Sequence, residues 1–418
     1  MRRGGQIAIG VVLLLTLATP LNAAAPKAGA KCTKKNSTAT SSGKLFTCIQ
    51  SGKKLMWNKG VVIPKPTPTP SPSPSKPTAI GDPIGAVGST PTPTPPAPLT
   101  PPAEPKNILN LESEYEGVAY WAWKKSSEKI LNSISSVNHF EIHIGPNSGI
   151  LNTRAKEATE ITSRLYAGLR QPTKNYFVSF AFADSQWAEK KIEEFLNDPV
   201  LLSQLRKSQS GPQDLRTYWA CPNVERCHSS TAMNNKDGTA IILAGYTPSR
   251  LGVVTETQGW LQSHEHTHII QQEQFMGTAR ENGGTINSFI YMQGWMIEGG
   301  ANFGGYASTH FRSFEDYKKG RQSDVDRMPR VEAAWFEKFI NMTNQERDQF
   351  TQGEIYHVGF MINEIFAAIK GPNAQMELYK KVAAGDTFEK AFEEIFDAPW
   401  KAAVPVISRV LASDRIRK

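Results

Sequence analysis

Apolar positions change their rhythm along this 418-residue chain, and each rhythm predicts a different element. Phe140-Glu141-Ile142-His143-Ile144 alternates as a strand does. Tyr176-Phe177-Val178-Ser179-Phe180-Ala181-Phe182 and Thr239-Ala240-Ile241-Ile242-Leu243-Ala244 are short, nearly unbroken apolar runs, which also fit strands. Helical spacing appears at Ala188–Leu196 and then dominates the C-terminal half. Val331–Ile340, Ile355–Ile369, Ala374–Val382 and Phe388–Ile395 all place apolar residues at i, i+3 and i+4. Gly371-Pro372 and Gly385-Asp386 punctuate these helices, and Thr387 is placed to cap the one that starts at Phe388. Strands and helices first, then helices alone, predict an α+β fold. Residues 106–418 are long enough for one large core, or for two lobes with a cleft.

The N-terminal quarter follows other rules. Arg2 and Arg3, the apolar stretch Ile7–Thr19 and Ala23-Ala24-Ala25 read as a secretory signal over residues 1–25. Its apolar core of about 13 residues is shorter than the roughly 20 a membrane helix needs. Residues 26–63 carry Cys32, Cys48 and Trp57 among glycine-marked turns, the pattern of a short β-meander. So few residues cannot bury a core unaided and call for a staple. Residues 64–105 hold 16 of the 28 prolines and read as a stiff polyproline-type linker.

Four cysteines in an exported chain suggest disulfides. Three connectivities are possible, and proximity favours Cys32 with Cys48 and Cys221 with Cys227. The net charge of +8 is localised: residues 1–105 hold 12 Lys/Arg and 2 Asp/Glu, leaving 35 basic and 37 acidic groups for the rest. The main domain therefore has no nucleic-acid character. The basic head is suited to a cell-wall polymer or another anionic surface, or simply to solubility.

His264-Glu265-His266-Thr267-His268 reads H-E-x-x-H in a segment that looks helical. Residues i and i+4 share a helix face, so His264 and His268 can aim at one point. His266 lies about 200° round the helix from His264 and cannot join them; a structural or supporting role is expected for it. Two imidazoles are natural zinc ligands, and a catalytic zinc takes three protein ligands and keeps one position open. Glu265, about 100° from His264, is placed beside the pair, where it can take a proton from water. The third ligand is expected from Trp295-Met296-Ile297-Glu298-Gly299-Gly300-Ala301-Asn302, because a carboxylate inside an apolar run needs a partner or a metal. Asn302, one turn after Glu298, could accept the free ring N–H of a ligating histidine.

HEHTH followed by WMIEGGAN resembles the gluzincin clan of zinc metallopeptidases, over roughly residues 240–400. The resemblance implies a mixed α/β upper lobe with a sheet edge along the cleft, above a mainly α-helical lower lobe. It implies zinc (Zn2+) on His264, His268 and Glu298, and Glu265 as the general base. It also implies an oxyanion-stabilising residue in Gly353–Phe360: Tyr356 resembles the clan's tyrosine, and His357 is the rival, with Tyr306 and His310 as weaker candidates. Thr239–Ala244 is expected to be the strand along the cleft. Two departures stand out. The 29 residues between His268 and Glu298 form a long spacer, in which Ala279–Thr285 reads as an inserted loop. Asn302 stands where thermolysin-like members carry an aspartate. The Cys32–Trp57 module separately resembles a small Cys-paired, Trp-ending motif near the N-termini of secreted actinobacterial proteins.

The expectation is a secreted or surface-tethered metallopeptidase acting on peptide or protein substrates. An inactive surface-binding protein on the same scaffold, or a wall-active amidase, is the alternative. His143 is expected to serve the fold rather than bind metal, and His228, after Cys227, is open between the two.

Overall fold

A computed structural model describes residues 27–32, 38–41, 44–52, 54–59, 61–62, 101–149, 154–207, 217–250, 258–281, 291–343, 346–413 and 416. The signal segment, most of the proline-rich linker, residues 282–285 of the expected inserted loop and Phe289-Ile290 lie outside them. The chain divides into two compact units, residues 1–94 and 95–418. Among the described residues, no helix is long and apolar enough to cross a membrane.

The first unit is a small antiparallel sheet of β1 (Thr38–Ser41), β2 (Lys44–Ser51), β3 (Lys54–Trp57) and β4 (Val61–Val62), with β2 pairing all three others. Cys32 and Cys48 form a disulfide and are buried together with Phe46. The proximity pairing therefore holds here, and so does the need for a staple: three buried side chains make no independent core.

The second unit carries one four-stranded sheet, of β5 (His139–Ile144), β6 (Lys174–Phe180), β7 (Ser230–Asn234) and β8 (Thr239–Gly245), in the order β5-β6-β8-β7. β5, β6 and β8 are parallel, and β7 runs antiparallel to β8 at the edge. Strands of a parallel sheet are covered on both faces, which explains the unbroken apolar runs. Val178, Phe180, Ile241 and Leu243 face α4 (Ser185–Leu196) and α5 (Pro199–Lys207), together with the second disulfide, Cys221–Cys227. Phe177, Ala232, Ala240 and Ile242 face the opposite way, onto Ile269. His143 sits on β5, pairs with Glu141 at 2.9 Å and lays its ring against Tyr176 and Phe195.

Thr239–Ala244 is not the strand along the cleft. β8 is bonded on both sides and buried throughout, so its composition marks an interior strand. The edge belongs to β7, whose sequence Ser-Thr-Ala-Met-Asn carries little apolar signal.

From residue 291 onward, every described element is helical. The elements that matter for the site are α7 (Trp260–Glu273), α8 (Gly294–Thr309), α9 (Phe314–Val325) and α11 (Gln352–Lys370); α10 (Ala333–Ile340), α12 (Ala374–Ala383), α13 (Phe388–Phe396) and α14 (Trp400–Ala412) complete a large apolar core around them. Helices α1 (Leu111–Glu114), α2 (Val118–Asn132), α3 (Ala155–Leu165) and α6 (Thr217–Ala220) precede them, and α1, α2 and α3 add Leu111, Val118, Ala122, Ile130, Ile161 and Leu165 to the same core. The expected cap is present: Thr387 Oγ1 accepts from Lys390 N at 3.2 Å. α11 starts on a capping box, Thr351 with Glu354, so its first turns have a fixed entry angle.

α8 and α11 cross at glycines. A methyl group built on Gly299 would fall inside the Gly359 backbone, and one on Gly359 would meet the Trp295 carbonyl oxygen. Neither obstacle is a flexible side chain, so the helices would have to separate. Gly299→Ala is expected to destabilise the fold by at least the ~1–3 kcal/mol of core overpacking. Urea unfolding of variant and wild type checks this; unchanged stability would mean that the crossing can open at little cost.

Candidate metal centre

α7 is polar in sequence yet buried over most of its length, and it holds its place by pairing its polar groups. Gln262 donates to Thr159 at 3.1 Å, Gln271 to the Ile297 carbonyl at 3.0 Å, and Gln274 to the Arg170 carbonyl at 3.0 Å. Two further bonds fasten it to β7: Ser230 Oγ donates to Glu265 Oε1 at 2.6 Å, and Asn234 Nδ2 to Glu273 Oε1 at 2.9 Å. The spacings match, since four strand residues span about 13 Å and eight helical residues about 12 Å. The edge strand thus runs alongside the helix that carries the motif.

One turn apart on α7, the His264 and His268 Nε2 atoms lie 3.1 Å from each other. Glu298 Oε2, from α8, is 3.8 Å from His264 Nε2 and 3.3 Å from His268 Nε2. Among the described residues, this is the only group of three or more His, Cys, Asp or Glu side chains close enough to hold a metal ion. Its donors fit that role. His268 Nδ1 is 2.9 Å from Gln271 Oε1, which can only accept, so the ring proton sits on Nδ1 and Nε2 presents a lone pair. Glu298 Oε2 is buried with no hydrogen-bond partner, a cost that a cation at this point would remove.

The electrostatics agree. Burial pulls the His264 imidazole down, to about 3, and the neighbouring His268 adds to this. Burial pushes Glu298 up, but the neighbouring His268 and His264 and the Tyr356 hydroxyl outweigh it and bring the carboxyl to about 2. Burial also pulls His268 down; the Glu298 carboxylate, Glu265 and Gln271 overcome this and raise it to about 9.

Glu265 opens onto the same cleft as the three ligand candidates. That cleft has a volume of about 640 Å³, with β7 on one side and residues 347–356 on the other. Tyr356 stacks on the His264 ring at 5.8 Å between centroids, lines the cleft and donates its hydroxyl to Glu298. His357, one residue on, turns away: its Nδ1 lies 2.5 Å from Asp324 Oδ1. Of the two rivals on α11, only Tyr356 therefore reaches the cluster. Tyr306 donates its hydroxyl to Asp324, and neither it nor His310 lines the cleft. His266 is fully buried with neither ring nitrogen hydrogen-bonded, and burial pulls it down to about 3.

Three residues of the site carried no expectation from sequence: Ser230, Gln271 and Asp324. Gln271 had a usable signal, since i+3 from a ligating histidine is within reach on a helix. Ser230 and Asp324 lie 35 and 22 residues from their partners Glu265 and Asn302, and only tertiary packing brings them in. Comparison of the chain with protein-family models, curated proteins and solved structures found no match.

Proposed function

We propose that the chain is a zinc metallopeptidase of the gluzincin type, exported and acting on peptide or protein substrates. The observation that carries this reading is a carboxylate, Glu265, set beside a buried His-His-Glu cluster at the floor of an open cleft. Two imidazoles and one carboxylate are a donor set that suits zinc and leaves a position open. Zinc held there would polarise a substrate carbonyl and acidify a water molecule.

The side chains divide the remaining work. Glu265 takes a proton from the attacking water as the water oxygen bonds to the carbonyl carbon. It then gives that proton to the amine as the C–N bond breaks. Ser230 Oγ donates to Glu265 Oε1 and so orients the carboxylate for this exchange. Tyr356 can turn its hydroxyl from Glu298 to the developing oxyanion. Among the described residues, β7 is the edge strand of its sheet, and its Ser230, Thr231 and Ala232 line the cleft, so an extended chain could lie alongside it. That edge favours a peptide over a compact substrate. Two disulfides support an oxidising, extracytoplasmic setting.

Hydrolysis of internally quenched peptides by the full chain tests the proposal. Activity should disappear with a chelator and return with zinc. Absence of hydrolysis across a diverse peptide library, with zinc bound, would contradict it. Tyr356→Phe is expected to lower kcat by roughly 10²–10³-fold, the usual effect of losing one oxyanion donor. Zinc content should be unchanged in that variant, and an unaltered kcat would remove Tyr356 from the chemistry.

A further inference from the structure

A line of buried polar groups runs back from His264 into the helical core. Asn302 interacts with the His264 ring. His264 Nδ1 and Asn302 Oδ1 are both buried and neither has a hydrogen-bond partner, which leaves an unmatched donor and an unmatched acceptor on neighbouring side chains. At its other end, Asn302 Nδ2 donates to Asp324 Oδ1 at 3.1 Å. Asp324, on α9, is 1% exposed. His357 and Tyr306 bond to the same carboxylate.

We propose that Asp324 is a positioning residue for the metal centre and fixes the tautomer of His264 through Asn302. The logic is one of direction. An amide can turn either end toward a histidine, and an imidazole can carry its proton on either nitrogen. An ionised carboxylate can only accept. Asp324 therefore claims the Asn302 NH2 group, which turns Oδ1 toward His264. An acceptor facing Nδ1 keeps the ring proton there and leaves Nε2 as the lone pair aimed at His268 and Glu298. Gln271 does the same for His268 directly. A neutral amide at 324 could present either end, and the direction would be lost. The two other donors help to keep the Asp324 carboxylate in place inside the protein.

This inference rests on the metal-centre reading, and its test separates the two. Zinc affinity of the full chain is measured by competition with a chromophoric chelator. Wild type, Asp324→Asn and the exchange variant Asn302→Asp/Asp324→Asn are compared. The single variant should bind zinc about 10–100-fold more weakly, the usual effect of removing a group that orients a ligand. The exchange variant puts the carboxylate directly on His264 and the amide behind it, so affinity should return to within a few-fold of wild type. A merely structural role for Asp324 would not be rescued by moving its charge to 302. If Asp324→Asn does not fold, Asn302→Leu cuts the same line and should weaken binding equally. Wild-type affinity in Asp324→Asn or in Asn302→Leu, or an exchange variant no better than the single one, would overturn the inference while the metal centre stands. A wild-type chain that binds no zinc would overturn both.

Discussion

Glu265→Gln is expected to lower peptide hydrolysis by about 10²–10⁴-fold, the contribution of a positioned general base. Zinc binding should be kept. The substitution preserves shape, and the new amide oxygen can still accept from Ser230 Oγ, which now lies 2.6 Å from Glu265 Oε1. Only basicity is removed. Glu265 is not one of the three clustered donors, so the site should hold its metal as before. Zinc content and kcat measured together separate the possibilities. Activity lost with zinc retained assigns the proton transfer to Glu265. Activity retained would move the base elsewhere in the cleft, whose other carboxylates are Asp348 and the proposed ligand Glu298.

Glu298→Gln is expected to weaken zinc binding by more than the ~100-fold that loss of an outer orienting partner can cost, because it replaces the charged carboxylate of the cluster itself with a neutral amide, a weak ligand for zinc. The two histidines then share the site with an amide oxygen where a carboxylate completed the three protein ligands. The loss also shows in stability. A metal that binds only the folded chain stabilises it by about 4 kcal/mol at 1,000 times its dissociation constant. Excess zinc should therefore raise the Tm of wild type and leave that of Glu298→Gln nearly still. An equal rise in both would take Glu298 out of the ligand set.

The candidate ligands were legible in sequence for a local reason. His264 and His268 need only a helix to meet, and Glu298 announces itself as a charge in an apolar run. Helices α11, α12 and α13 were legible too, because each carries helical apolar spacing and a punctuated or capped end, although α11 is buried all round from Val358 to Ile369. β6 and β8 were legible as apolar runs. The same apolar character drew the cleft edge to β8, although an edge strand facing water and a polar helix is the less apolar one. β7 holds its place through Ser230 and Asn234, residues that read as turn or loop. α14 has Pro405 inside it, which argues locally against the helix that its core contacts impose. Asp324 was illegible because its role exists only where α8, α9 and α11 meet.

The most direct measurement is the number of zinc ions held by the purified full chain after equilibrium dialysis, with the triple variant His264→Ala/His268→Ala/Glu298→Ala alongside. One zinc per wild-type chain and none in the variant is the predicted result. No zinc in wild type, or equal zinc in both, would contradict a metal centre at His264, His268 and Glu298.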